Sequence, residues 1–232
     1  MPAQPVLIQL PQNLKALLED RVAFLTVYQN AAYAKRYRAL VERVLAVEQQ
    51  HRKSDVFTKA VASSLFKLMA YKDEYEVARL YTDGRFRERL EREFEGTPRL
   101  RFNLAPPVFN QRDSLGHPVK KSYGPWMWNA FRLLASLRFL RGTPFDPFGP
   151  TEERRRERQL VEEYRKWVEE LLSRFAEANI DVALSLARLP EQIRGFGHVK
   201  QAGMHATALR SDMLMGKLYV GKPSILANPT LA

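Results

Sequence analysis

Charged side chains follow an apolar helical pattern in "LFKLMAYKDEYEVARLY", residues 65–81. Charges on a buried helix must pair or neutralise, because an isolated charge is costly to remove from water. Such a cluster forms a structural ion-pair network, grips an anionic ligand or a partner domain, or performs acid–base catalysis. The candidate ligand- or partner-contacting residues here are Tyr71, Lys72, Asp73, Glu74, Tyr75, Glu76 and Arg79.

Helical periodicity predicts where these charges point. On one helix from Val56 to Thr82, Lys72 and Arg79 share the stripe of core residues. Glu76 is then four residues from Lys72 and three from Arg79, the spacings at which side chains on a helix pair. The sequence therefore predicts local ion pairs and charges that face away from bulk water.

A second candidate site lies in "LPEQIRGFGHVK", residues 189–200. Glycine accepts positive φ, so the two glycines allow a turn that exposes backbone amides beside nearby cations, an arrangement suited to an anion. The alternative is a plain turn between helices. The candidate residues are Arg194, Gly195, Gly197, His198 and Lys200.

No residue pattern in this chain indicates a metal site or a bound cofactor. There is no cysteine, which excludes thiolate catalysis and cysteine-held zinc or iron–sulfur clusters. His51, His117 and His205 have no ligand spacing, and no phosphate-loop, dinucleotide, serine-hydrolase or zinc-protease motif occurs. We predict no catalytic residue, no metal, and no cofactor bound by this chain alone.

The charge balance raises the question of an anionic partner. The chain of 232 residues has a net charge of +11, which is compatible with nucleic acid. In "RFRERLEREFEG" and "TEERRRERQLVEEYRK", however, the signs alternate at helical spacing, which is typical of solvated faces. No apolar run approaches the roughly 18 residues of a membrane span, so we predict a soluble, cytoplasmic protein without a membrane partner.

The elements that must position these residues are mainly helical. Residues 12–50 form two helices or one bent at Asn30, Gly84 ends the helix that begins at Val56, and a β-hairpin insert occupies about 99–123. We expect a mainly α fold, with one domain over 1–200 and a divergent, partly disordered tail over 201–232. Further helices are predicted over about 85–95, 125–141, 151–178, 180–189 and 199–215.

Four segments in this order resemble a known domain: "FKLMAYKDEYEVARLYTDGRFRERLEREFEGTPRLRFNLAPP", "LRGTPFDPFG", "ERRRERQLVEEY" and "LPEQIRGFGHVK". They resemble the C-terminal domain, of unassigned role, of the fused bacterial indolepyruvate ferredoxin oxidoreductases. The resemblance runs from about Leu14 to Lys200, after which the sequence departs from the expected charged helix.

The resemblance implies a function for the assembly. Enzymes of that family convert an aryl pyruvate and coenzyme A to the acyl-CoA with thiamine diphosphate, passing electrons through iron–sulfur clusters to ferredoxin. Both cofactors are expected in partner parts of the complex. The implied role of this chain is a non-catalytic domain or subunit for assembly, docking or a lid, with catalytic domains as partners, ferredoxin as an indirect one, and a coenzyme A contact.

An alternative class of function is a basic nucleic-acid-binding module. It uses the net charge and the strand "RLRFN", a weak version of a stacking platform. Trp126, Trp128 and Phe131 do not form one face and are predicted to fill the core and cover the β insert. A nucleic-acid module predicts affinity that falls steeply with salt.

Overall fold

A computed structural model describes residues 14–96, 100–104, 119, 121–195 and 197–219. It confirms a mainly α fold with a small β-hairpin. The α-helices are α1 (Leu14–Tyr28), α2 (Ala31–Arg52), α3 (Val56–Met69), α4 (Glu74–Thr82), α5 (Arg85–Glu93), α6 (Met127–Ser136), α7 (Glu152–Ser173), α8 (Ile180–Ala187) and α9 (Gly197–Met215). The strands are β1 (Phe102–Leu104) and β2 (Lys121–Tyr123), and 3-10 helices cover Leu137–Leu140 and Leu189–Gln192.

The described chain divides into two compact units. Unit 1 comprises residues 14–26, 31–69 and 160–219, and unit 2 comprises 27–30 and 70–159, each within the described ranges. The predicted boundary at residue 200 falls inside α9. The extent of α9 confirms the predicted helix over 199–215. The prediction of a single domain over 1–200 stays a prediction, and residues 220–232 of the predicted tail lie outside the described residues.

Unit 1 is a helical unit in which α3 packs against α2 and α8, and α8 against α9. A buried carboxylate fixes the start of α3. Glu48 of α2 accepts hydrogen bonds from the backbone N–H groups of Phe57 at 3.0 Å and Thr58 at 2.8 Å, and from the Thr58 hydroxyl at 2.7 Å. The first N–H groups of a helix have no intrahelical partner, so a carboxylate from a neighbouring helix stabilises this end.

Unit 2 packs α4 against α6 and the hairpin. Strands β1 and β2 pair antiparallel with Phe102 opposite Tyr123, which confirms the predicted insert. Phe131 is buried in the core of unit 2, Trp128 is half-buried and packs against that core, and Trp126 is exposed. Residues 105–118 of the predicted insert, which include His117, lie outside the described residues.

The predicted single helix over 56–82 is wrong, because the chain leaves helical geometry at residues 70–73. The Tyr28 hydroxyl donates to the carbonyl oxygen of Tyr71 at 2.9 Å. The Asp73 side chain accepts from a backbone N–H of α4 at 2.8 Å and caps that helix. Both bonds hold the backbone in a non-helical turn, so the helical phase is interrupted.

Other predicted boundaries are confirmed. The chain breaks at Gln29 and Asn30 between α1 and α2, and Gly84 has a φ of +91° after α4. On α5, Arg87 pairs with Glu91 at 2.9 Å along an exposed face, as the alternating charges predict. Among the described helices, none is both long and apolar enough to cross a membrane.

Candidate functional site

The densest group of buried charges lies in unit 2, around the start of α4. We call it the buried charge network, and all of its side chains belong to unit 2. It brings together predicted residues of α4 with residues from the loop after α6 and from the start of α7. Its members are Asp73, Glu74, Glu76, Arg79, Arg141, Asp146, Arg154 and Glu157.

The centre of the network is the pair Asp73–Arg141. Arg141 donates from Nε at 2.5 Å and from Nη2 at 2.8 Å to the two Asp73 carboxylate oxygens, and both side chains are 3% exposed. Its remaining Nη1 donates to the Tyr28 carbonyl oxygen, and its guanidinium lies 3.6 Å from the centre of the Tyr28 ring. Burial disfavours the charged guanidinium, but the Asp73 carboxylate outweighs it and raises the pKa of Arg141.

Three further ion pairs flank this centre. Both carboxylate oxygens of Glu76 accept from Arg79, at 2.7 and 2.8 Å, which confirms the pairing predicted at three-residue spacing. Arg154 of α7 donates to both oxygens of Glu74 at 3.2 and 3.3 Å, and also to Glu157. Burial raises the pKa of Glu74, and Arg154 opposes that rise.

A fifth carboxylate, that of Asp146, organises the proline-rich loop that follows Arg141. Asp146 accepts from the Tyr75 hydroxyl at 3.0 Å, the Gly142 N–H at 2.8 Å and the Phe148 N–H at 3.1 Å. Burial, and then the bond to Asp146, raise the pKa of Tyr75. The loop is therefore held to α4 by a fully engaged carboxylate.

Burial also affects Tyr71, which lies beside the network. Burial, and then the nearby Asp73 charge, raise the pKa of Tyr71 to about 12. The guanidinium of Arg154 lies 5.8 Å from the centre of its ring. Tyr71 is thus a neutral, buried side chain at neutral pH.

The structure contradicts two predictions made for Lys72. Its side chain is exposed, so the prediction that it points toward the core is wrong. The predicted pairing of Lys72 with Glu76 is also wrong, since Arg79 occupies both Glu76 oxygens. The cause is the turn at 70–73, which removes Lys72 from the helical stripe.

The carboxylates of the buried charge network are all hydrogen-bonded within unit 2. Each carboxylate described above accepts from a guanidinium, a hydroxyl or a backbone N–H of the same unit. An ion pair that is buried and fully hydrogen-bonded fixes geometry, because removing one partner leaves an uncompensated charge. This arrangement orients α4, the loop after α6 and the start of α7.

Sequence reasoning missed Arg141, Asp146, Arg154 and Glu157. Arg141 is 68 residues from its partner Asp73, and Arg154 is 80 residues from Glu74, so no local spacing links them. The available signal was an acidic residue, Asp146, in a loop of prolines and glycines, "GTPFDPFGP". A carboxylate in such a loop often bonds backbone N–H groups nearby.

The second predicted site lies in unit 1 and gains a residue from α3. Lys67 donates from Nζ to the Glu191 carbonyl oxygen at 2.8 Å, and Arg194 Nε lies 3.5 Å from the same oxygen. Partial burial lowers the pKa of Lys67, the charges of Arg194 and Lys200 lower it further, and the Glu191 carboxylate opposes that fall. We call Lys67, Arg194 and Lys200 the cationic turn.

Of the two glycines predicted to allow positive φ, Gly195 adopts it, whereas Gly197 begins α9. Gly195 has a φ of +84°, and a Cβ there would lie 2.8 Å from Val199 Cγ1. Gly197 and His198 begin α9, but their side chains lie outside the described residues. The cationic turn therefore places two cations on one neutral carbonyl at the surface, with a third charge close enough to affect Lys67.

The fold and these sites define a mainly α-helical protein with a β-hairpin, a buried charge network in one unit and a cationic turn in the other. The chain matches a family of unknown function, DUF6537, over residues 14–213, and it belongs to that family. The match continues past Lys200 into α9. No curated protein and no solved structure matches the chain.

Proposed function

We propose that this chain is a non-catalytic domain or subunit of a thiamine-diphosphate-dependent aryl 2-oxoacid:ferredoxin oxidoreductase, serving assembly, docking or a lid. The observation that carries the proposal is the pairing within the buried charge network. Arg141 donates to the Asp73 carboxylate oxygens at 2.5 and 2.8 Å, and Asp73 also accepts from the Glu76 N–H. Groups that are engaged in this way support a role in holding the fold.

The cationic turn supplies the contact that the proposed role needs. Lys67 and Arg194 both contact the neutral carbonyl oxygen of Glu191, while the Glu191 carboxylate is a nearby negative charge that acts on Lys67. A phosphate or carboxylate would satisfy both cations better, because hydrogen bonds between two charged groups are the stronger ones. The proposed occupant is a phosphate-bearing ligand such as coenzyme A, or a carboxylate of a partner domain.

The test is anaerobic capture of the tagged chain from extract of its native host, with identification of the polypeptides that co-elute. We expect thiamine-binding and cluster-binding polypeptides, and dye reduction by the eluate that requires both an aryl pyruvate and coenzyme A. The proposal is contradicted if the chain elutes alone or with nucleic acid.

The cationic turn is tested in the same captured complex. Lys67→Ala and Arg194→Ala are expected to raise the KM for coenzyme A or to lower recovery of the partner. Arg174→Ala is the matched control, since Arg174 forms an exposed pair with Glu177 in the same unit. Equal behaviour of all three variants would remove the cationic turn from the proposal.

A further inference from the structure

The solvent-facing side of α6 carries large apolar residues. Trp126, at the start of α6, is 60% exposed, Leu133 is 63% exposed, and Phe139, in the 3-10 helix that follows, is 58% exposed. The opposite side of α6 already holds Met127 and Phe131 in the core of unit 2. An amphipathic helix places mainly polar residues on its outer face, whereas the outer face of α6 also holds large apolar residues.

The three exposed apolar residues lie within residues 126–139 of the sequence. Trp126 and Leu133 are seven residues apart, which places them on nearly the same side of a helix. The exposed positions between and after them are Asn129, Arg132 and Ser136. Single exposed apolar residues are ordinary, but a row of large ones is typical of an interaction surface. We call Trp126, Leu133 and Phe139 the α6 stripe.

The chain segment that carries the α6 stripe has charges of one sign. Residues 121–145 contain Lys121, Arg132, Arg138 and Arg141 and no aspartate or glutamate. Arg141 is neutralised by Asp73, whereas Lys121 and Arg132 are exposed and Arg138 donates to a backbone carbonyl at 3.3 Å. The segment therefore combines exposed apolar residues with the exposed cations Lys121 and Arg132.

We propose that the α6 stripe docks an acidic amphipathic segment of a partner protein, with apolar side chains on Trp126 and Leu133 and carboxylates beside Arg132. Apolar anchors surrounded by complementary charge are the usual construction of a protein interface. Only the identity of the protein that supplies this segment rests on the proposed function.

Two other occupants fit less well. A second copy of this chain would place the exposed cations of one segment against those of the other, and like charges opposed in an interface weaken it. Single-stranded nucleic acid binds through aromatic side chains that stack on successive bases. Leu133, the most exposed of the three stripe residues, cannot stack.

The test uses the full chain in native host extract, with a photo-crosslinking amino acid at position 133. The control carries the same group at position 209, because Leu209 is 55% exposed on α9 of the other unit. The crosslinked peptide is sequenced by mass spectrometry. We expect a crosslink from position 133 only, to a segment that mixes apolar residues with aspartate or glutamate.

A charge reversal makes the test quantitative. Arg132→Glu should lower the crosslink yield about tenfold, since repulsion of partner carboxylates replaces attraction. Arg89→Glu, at an exposed position of α5, should leave the yield within about twofold. A crosslink to nucleic acid, to a second copy or to a basic segment, or no crosslink at all, overturns the inference.

The two proposals fail separately. An acidic segment from a protein without thiamine or cluster sites would support the α6 stripe and contradict the oxidoreductase assignment. Capture of an active oxidoreductase without a crosslink from position 133 would leave the assignment standing and overturn the stripe.

Discussion

Arg141→Met tests whether the buried charge network holds unit 2 together. Methionine keeps the apolar stem but removes the guanidinium that donates at 2.5 and 2.8 Å to Asp73. The Asp73 carboxylate, 3% exposed, then keeps its bond to the Glu76 N–H and loses its counter-charge. A buried carboxylate left without its counter-charge is the costly consequence of this change.

The expected loss is about 3–5 kcal/mol in the free energy of unfolding, the usual cost of breaking a buried pair from one side. For a chain of this size, about 2–4 °C of Tm corresponds to 1 kcal/mol, so Tm should fall by roughly 6–20 °C. Asp73→Asn combined with Arg141→Met should recover more than about 1 kcal/mol relative to Arg141→Met alone. Asparagine still caps α4, and it removes the unpaired charge.

Urea unfolding followed by circular dichroism measures these differences. The control is Arg174→Met, because Arg174 and Glu177 are 53% and 52% exposed, and an exposed pair contributes less than about 1 kcal/mol. A loss below about 1 kcal/mol for Arg141→Met would refute the reasoning. So would a double variant no more stable than Arg141→Met.

Three further predictions concern single positions. Glu48→Gln should cost about 1–3 kcal/mol, because an amide N–H₂ meets the donors at the start of α3, whereas Glu42→Gln at an exposed pair should cost less than about 1 kcal/mol; urea midpoints compare them. Tyr71 should keep its proton between its ordinary pKa of 10.0 and about 12 when folded and lose it when unfolded, so stability should fall as pH rises through that interval by up to about 1.4 kcal/mol per pH unit. Tyr71→Phe should reduce that slope in urea titrations at pH values across this range, and an unchanged slope would contradict the assignment. Gly195→Ala should destabilise unit 1 by about 1–2 kcal/mol in the same assay because of its φ of +84°, while Gly216→Ala, where a Cβ meets only an ordinary contact, should cost less.

Local chemistry made much of the fold predictable. The β insert follows from alternating residues near Phe102, and the helix end after α4 follows from Gly84. The pair Glu76–Arg79 follows from a three-residue spacing on one helix. In each case the deciding residues lie within a few positions of one another.

Hydrogen bonds between residues far apart in the sequence determine the parts of the fold that were not predicted. Periodicity continues α3 through residues 70–73, but the Tyr28 hydroxyl, 43 residues away, bonds the Tyr71 carbonyl and the chain turns. Lys67 reaches a carbonyl 124 residues along the chain, so its place in the cationic turn has no sequence signal. The candidate site was therefore found on α4 and missed on the elements that pair with α4.

Amide hydrogen exchange of the captured complex, compared with the isolated chain, tests the central claim that the surfaces contact the partner and the buried charges hold the fold. We expect slower exchange in the complex at residues 127–140 of the α6 region and at 191–195 of the cationic turn, with little change at 73–79 and 141–146. Slower exchange confined to 73–79 and 141–146 would contradict it, since the buried charge network would then be the contact with the partner.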